Sequence, residues 1–295
     1  MGRTSNRTTI GWLAVLALAG AALVAVPPAA GSTAGSAEPP ARRAGYAALG
    51  DSVAAGFGLR PGTQTTHQDR LCKRSSKAYP KRVAGRIDAR LRSFVACSGA
   101  KFDEGLYGQQ QIGDVELPEQ IKRVFSRRSP RLLSITIGAN DMRWSYFIAK
   151  CYVARCGSDM DNNLFRVLRQ DFRYEQWRMR TEVEYRAWLN DTREPRASIT
   201  GYYDPFGPKR CRATRGVTKA EKRWVESKVH VINDELRHTA GEEDWLRYGG
   251  VNRAFDGHRL CSGKSWIKGP RTKGMLHPTK GGQRAYARMV GRDLR

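Results

Sequence analysis

The sequence predicts an α/β fold in which a parallel β-sheet is covered by helices on both faces. Four short apolar segments have the length of buried strands: residues 45–50, 93–96, 132–137 and 197–202. Four longer segments carry apolar residues at helical spacing: residues 79–91, 117–127, 163–189 and 218–240. Because strands that alternate with helices are joined by crossovers, their sheet is parallel and carries helices on both sides.

The first 37 residues are predicted to be a signal peptide and leader. Arg3 and Arg7 precede an apolar run at residues 10–26, and small residues follow as far as Ala37. An apolar run of this length could also stay in a membrane, but the small-residue tail and the lack of a positive stop signal favour cleavage. We therefore expect a secreted, extracellular protein.

Residues 38–295 are long enough to bury one full core, so we expect a single domain. Within it, the segment around residues 159–194 is long and densely charged. We expect this segment to be a helical insertion over the site.

All six cysteines lie after the predicted signal. They are Cys72, Cys97, Cys151, Cys156, Cys211 and Cys261. An even number of cysteines in an exported chain indicates disulfide bonds, whereas a zinc site is disfavoured because no Cys-x-x-Cys pair is present. Their spacing alone does not choose the pairing.

The chain carries a formal net charge of +24, which becomes +22 when Arg3 and Arg7 leave with the signal. Such a charge would attract an anionic membrane or cell-wall surface, although a solvated basic surface explains it equally well. It would bind nucleic acid without sequence preference, and export argues against DNA as the partner. No specific nucleic acid partner is expected.

A serine and a histidine stand out as candidates for nucleophilic chemistry. Ser52 follows the first predicted strand in Gly50-Asp51-Ser52. A serine hydroxyl needs a base to accept its proton, and the candidates are His67, His230, His238, His258 and His277. His277 is favoured because it lies between a flexible glycine, Gly274, and a rigid proline, Pro278, just before a helix-like tail at residues 282–294.

Four motifs in order make the chain resemble the GDSL-type or SGNH esterases and lipases. They are Gly50-Asp51-Ser52-Val53-Ala54-Ala55-Gly56, Ala96-Cys97-Ser98-Gly99-Ala100, Gly138-Ala139-Asn140-Asp141 and His277-Pro278. The resemblance implies a three-layer α/β/α fold with Ser52 as nucleophile and His277 as general base and acid. It also implies an oxyanion hole of the Ser52 and Gly99 N–H groups and the Asn140 amide. Asn140 in such a sequence could instead be an ordinary turn residue.

One position departs from the family pattern. Many members carry Asp three residues before the catalytic histidine, but this chain has Gly274 there. We expect the backbone carbonyl of Gly274, or one close by, to orient His277, with a carboxylate from elsewhere, such as Asp256, as the alternative. This arrangement resembles a secreted actinobacterial branch with three disulfides, which here would join Cys72 to Cys97, Cys151 to Cys156 and Cys211 to Cys261.

The expected function is a secreted carboxylester hydrolase that acts through a serine acyl-enzyme on lipid or other acyl esters, with anionic phospholipid among the candidates. The alternative is a non-catalytic module that binds anionic cell-wall polymer or a membrane surface. No metal or cofactor is needed for this chemistry. We expect a monomer.

Overall fold

The computed structural model describes residues 43–61, 66–126 and 128–295. The predicted signal peptide and leader lie outside this part of the chain. Within it, none of the helices combines the length and apolar character that crossing a membrane requires.

Five parallel strands form the central sheet. They are β1 (Gly45–Gly50), β2 (Arg90–Phe94), β5 (Leu132–Thr136), β6 (Arg196–Thr200) and β7 (Leu246–Gly249), in the spatial order β2-β1-β5-β6-β7. A small antiparallel hairpin, β3 (Gln110–Ile112) and β4 (Val115–Leu117), lies between β2 and β5 in the chain. The predicted parallel sheet is therefore confirmed, and β7 is an additional edge strand that the prediction missed.

Eight α-helices accompany the sheet in the described residues. They are α1 (Ser52–Ala55), α2 (His67–Leu71), α3 (Tyr79–Arg86), α4 (Gln120–Phe125), α5 (Trp144–Val153), α6 (Asp159–Leu189), α7 (Lys219–Gly241) and α8 (Lys280–Asp293). The helix predicted at residues 79–91 was too long: it ends at Arg86, because residues 90–94 pair with β1 as β2. Helix α5 was not predicted.

The strand order places helices on both faces of the sheet. The chain steps from β1 to β2 in one direction, then returns past β1 to β5, β6 and β7 in the other. Right-handed crossovers therefore put α3 on one face and α4, α6 and α7 on the opposite face. Helix α8 packs on α3, while α4, α6 and α7 pack side by side. The α/β/α layering expected from the family resemblance is confirmed.

The two longest helices begin with reciprocal caps. The Ser158 hydroxyl accepts the Asp161 N–H at 3.2 Å, and the Asp161 carboxylate accepts the Ser158 N–H at 3.1 Å. Thr218 and Glu221 make the same pair of contacts at the start of α7. These reciprocal caps satisfy N–H groups that the first turn of a helix leaves without partners, and so fix where α6 and α7 begin. The segment 159–194, predicted to be an insertion, is thus mostly one continuous helix.

The three expected disulfides are present. They join Cys72 to Cys97, Cys151 to Cys156 and Cys211 to Cys261. The first of them holds the chain just before Gly99, and the second joins the end of α5 to the turn that leads into α6.

Two buried glutamine side chains hold the turn that follows β1. Gln120 accepts the Gly50 N–H at 2.7 Å and donates to the Gly50 carbonyl at 3.0 Å. Gln283 of α8 donates to the Val53 carbonyl at 2.9 Å and accepts the Tyr79 N–H at 2.7 Å. Helices from both faces of the sheet therefore support the backbone on either side of Ser52.

Replacing Gln120 by alanine is expected to lower the free energy of unfolding by about 2 kcal/mol. The Gly50 N–H would be left buried without an acceptor, although the Gly50 carbonyl would keep the Cys97 N–H at 2.8 Å. Chemical denaturation followed by circular dichroism measures the loss. Gln111→Ala is the matched control, because the Gln111 side chain is exposed and donates to the nearby Gly113 carbonyl rather than to a buried group. Equal losses in the two variants would contradict this role of Gln120.

Candidate active site

The candidate nucleophile lies where β1 ends and α1 begins. Ser52 is the first residue of α1, and the buried Asp51 caps that helix by accepting the Val53 N–H at 2.8 Å. The Asp51 N–H donates to the Thr136 carbonyl of β5 at 2.8 Å. The capping residue thus anchors the turn to the sheet and leaves the Ser52 side chain partly exposed.

His277 contacts Ser52 directly. Its Nε2 lies 2.7 Å from the Ser52 Oγ, and its Nδ1 lies 2.9 Å from the main-chain carbonyl of Met275. Because a carbonyl can only accept a hydrogen bond, Nδ1 carries the proton and Nε2 is the acceptor for the serine hydroxyl. Burial lowers the pKa of His277 from its ordinary 6.5, and the hydrogen bond to Met275 opposes this shift. The neutral ring, which can accept a proton, is therefore favoured at neutral pH.

The carbonyl that orients the ring belongs to Met275, one residue after the predicted Gly274. The Gly274 carbonyl instead accepts the His277 N–H at 2.9 Å and closes a tight turn. The Gly274 carbonyl therefore points toward the backbone N–H of His277, and the Met275 carbonyl faces the ring. The alternative, Asp256, does not take this place, because the His277 Nδ1 contacts the Met275 carbonyl and the Asp256 carboxylate pairs with Arg259 at 2.9 Å.

The Met275 carbonyl is one close to Gly274, as the prediction allowed, and the backbones of both residues act against the fall in the His277 pKa. Gly274 also has a conformational role. Its φ of +77° lies in the left-handed region, and a side chain there would place Cβ 2.6 Å from the Gly58 Cα. Only a glycine permits this approach of two backbone segments. Gly274 therefore brings the loop of His277 against the segment that follows α1.

Asn140 lines the same cleft as Ser52 and His277. Gly99 is not among the described residues that line it. The Asn140 amide donates one of its two hydrogens to the Ala100 carbonyl at 2.8 Å, and the other has no acceptor among the described residues. Gly99 is exposed, with a φ of +88°, and its N–H has no acceptor among the described residues. The contact with Ala100 links the Asn140 segment to the Gly99 loop.

The cleft has a volume of about 420 Å³ and largely apolar walls. Its apolar lining includes Phe57, Trp144, Ile148, Tyr203, Met275 and Leu276. In the described part of the chain, no Asp, Glu, Lys or Arg side chain lines it. An apolar cleft with a few polar groups at one end suits a ligand that joins an acyl chain to a polar group.

A buried tyrosine connects the serine turn to the Asn140 segment, and sequence patterns gave no signal for it. The Tyr202 hydroxyl donates to the Asp51 carboxylate at 2.6 Å and accepts the Ala139 N–H at 3.1 Å. Burial raises the pKa of Asp51 to about 6, and the hydrogen bond from Tyr202 opposes the rise. Tyr202 thereby fixes the spacing between two of the predicted motifs.

The comparisons with known proteins agree with this geometry. A sequence model of the GDSL-like Lipase/Acylhydrolase family matches residues 48–285, which include Ser52, Gly99, Asn140 and His277. The chain belongs to this family. This GDSL-type lipase or esterase is similar to a lipase of Streptomyces rimosus. The two are 27% identical over 256 residues, which cover 86% of this chain and 87% of that protein. This chain is also 27% identical over 280 residues to lipase 1 of Streptomyces coelicolor, covering 93% of each.

Solved structures support the same family assignment. The extracellular lipase of S. rimosus matches with a TM-score of 0.61 and 26% identity, over 85% of this chain and 99% of that one. Phospholipase A1 of Streptomyces albidoflavus matches with a TM-score of 0.60 and 23% identity, over 85% and 99%. At that identity the second match concerns the fold alone. The predicted resemblance to GDSL-type lipases is confirmed.

This GDSL-type enzyme also contains a buried carboxyl beside Asn140. Asp141 accepts the Phe102 N–H at 3.0 Å through Oδ1, while its buried Oδ2 has no partner among the described residues. Burial raises the pKa of Asp141 from 3.8 to about 7. A raised carboxyl pKa means that the folded state holds its proton more tightly than the unfolded state.

Asp141→Asn is therefore expected to change how stability depends on pH. Relative to this variant, the wild type should lose several kcal/mol as pH rises from 3.8 to about 7, because the carboxyl must ionise inside the fold. Urea denaturation at a series of pH values measures the difference. Asp114→Asn is the control, because it alters an exposed carboxylate in the β3–β4 hairpin that is not among the groups that raise the Asp141 pKa. A constant difference between wild type and Asp141→Asn would contradict the prediction.

Proposed function

We propose that this protein is a secreted carboxylester hydrolase in which Ser52 forms a covalent acyl-enzyme. The observation that carries the proposal is the 2.7 Å contact between the Ser52 Oγ and the His277 Nε2 at an apolar cleft. A nucleophile next to a neutral base, which is itself oriented by a third group, is the arrangement that activates a serine. Here the third group is a main-chain carbonyl.

The proposed reaction has two halves. As the Ser52 oxygen attacks the ester carbonyl carbon, His277 takes the hydroxyl proton, and the negative charge moves to the carbonyl oxygen. The Ser52 and Gly99 N–H groups and the second Asn140 amide hydrogen would stabilise that oxyanion. Collapse breaks the ester C–O bond, and the departing alcohol takes the proton from His277. Water then attacks the acyl-enzyme with His277 as base, which releases the acid and restores Ser52.

We further propose that the substrate is a lipid ester, including esters of anionic phospholipids. The apolar walls suit the acyl chain. Exposed arginine and lysine residues are sequence neighbours of the residues that line the cleft. Arg143 immediately precedes Trp144, and Arg271 and Lys273 flank Thr272 of the lining. They would face a negatively charged headgroup at the rim, outside the apolar cleft. The shared fold with the phospholipase A1 of S. albidoflavus is consistent with such a substrate.

Export is part of the proposal. Three disulfides suit an oxidising compartment, and the similar lipase of S. rimosus is an extracellular protein.

Ser52→Ala should abolish labelling by a fluorophosphonate probe and lower ester hydrolysis by about six orders of magnitude. The purified proteins can be compared by in-gel fluorescence and by turnover of p-nitrophenyl esters and phospholipid. Ser145→Ala is the matched control, because Ser145 is an exposed serine in the same cleft but has no histidine contact in the described residues. Equal labelling of wild type and Ser52→Ala would exclude Ser52 and leave the non-catalytic binding module as the better interpretation.

The rate should also report the protonation of His277. Because only the neutral ring can accept the Ser52 proton, kcat/KM is expected to fall on the acid side, with a midpoint below 6.5. A pH profile on a soluble ester measures this limb. The midpoint should be the same in Asp141→Asn, since that carboxyl contacts Phe102 rather than His277. An acid limb centred above 6.5 would contradict a lowered His277 pKa.

A further inference from the structure

The exposed large hydrophobic side chains are confined to one part of the surface. Among the described residues, all nine of them lie on α5 and α6. They are Tyr146, Val153, Met160, Val167, Tyr174, Trp177, Tyr185, Trp188 and Leu189. We call these residues the α5–α6 surface. Single exposed apolar residues are ordinary, but a concentration on two successive helices indicates an interaction surface.

The surface follows from the two apolar faces of α6. At 3.6 residues per turn, its seven members on this helix fall within an arc of about 120°. The buried residues of α6, such as Phe165, Phe172 and Val183, fall on the opposite side. One face is thus covered by the protein core and explains the fold. The other is open to solvent in the described part of the chain, and the fold does not explain it.

Aromatic rings and cations are combined on the open face. The rings of Tyr174 and Trp177 lie 5.8 Å apart, and those of Tyr185 and Trp188 lie 6.1 Å apart. The exposed Arg178 places its guanidinium 5.8 Å from the Tyr174 ring centre. The guanidinium of the partly buried Arg186 lies 5.9 Å from the Tyr185 ring centre and pairs with Glu182 at 2.7 Å. Amphipathic rings beside guanidinium groups are suited to the boundary between water and lipid headgroups.

We propose that the α5–α6 surface docks on an anionic phospholipid bilayer. The chain has a net charge of +24, which is opposite in sign to the charge of such a bilayer. A second copy of the chain would carry the same charge and be repelled, so self-association along this surface is disfavoured.

Helix α5 carries residues of both the α5–α6 surface and the candidate active site. Trp144, Ser145 and Ile148 of this helix line the cleft, whereas Tyr146 and Val153 belong to the α5–α6 surface. Docking would therefore bring the cleft next to lipid. This consequence rests on the proposed function, but the docking itself does not depend on Ser52.

The double variant Trp177→Ser/Trp188→Ser tests the docking. Both side chains are exposed, at 52% and 73%, so the fold should be retained. We expect wild type to bind vesicles of equal parts phosphatidylcholine and phosphatidylglycerol. The variant should bind them at least about tenfold more weakly, since two rings lose their lipid contact. Co-sedimentation in moderately high salt isolates this contribution, because salt screens the long-range attraction of the basic surface. His230→Ser, which removes an exposed ring from α7, is the control and should bind like wild type.

Hydrolysis separates this inference from the proposed function. The double variant should keep wild-type turnover of a soluble ester and wild-type fluorophosphonate labelling, but lose hydrolysis of vesicle phospholipid. Vesicle binding equal to that of wild type would overturn the docking inference, whatever the activity. So would a wild-type dimer in analytical ultracentrifugation that the variant cannot form. Loss of binding to an anionic cell-wall polymer, with vesicle binding retained, would identify a different partner and overturn it too.

Discussion

The candidate site depends on holding a largely buried polar turn in place. The turn after β1 contains the backbone of Gly50, the carboxylate of Asp51 and the start of α1, and each of these needs partners inside the protein. Gln120, Tyr202 and the Thr136 carbonyl supply them from three different elements. Because these contacts come from both the sheet and its covering helix, Ser52 cannot shift unless the surrounding layers move with it.

Much of the fold could be predicted from the sequence because its strands are buried on both faces. Such strands read as short apolar runs, as in residues 45–50 and 132–137, and the helices between them show clear periodicity. The edge strand β7 escaped prediction because Leu246–Gly249 is short and includes Arg247. Helix α5 escaped because its apolar residues point both to the core and to solvent, which removes the helical period.

The chemical groups of the site were easier to predict than their supports. Ser52, Asn140 and His277 were found from motifs and do line one cleft, while the orienting carbonyl, expected at Gly274 or close by, is that of Met275. Every residue has such a carbonyl, so only the conformation of the turn selects one. Tyr202 carried no signal for a related reason: a partner 151 positions away in the chain is recognisable only after folding.

The order of the two central residues along the chain sets when chemistry can begin. Ser52 and His277 are separated by 225 positions, and the Ser52 turn is supported by Gln283 of α8, which is later still. A growing chain contains the serine, and even most of the cleft, long before it contains the base. If the two residues act as proposed, a chain that is still being synthesised cannot hydrolyse the lipids of the cell that makes it. Activity appears only when the segment with His277 and α8 has been made and has folded.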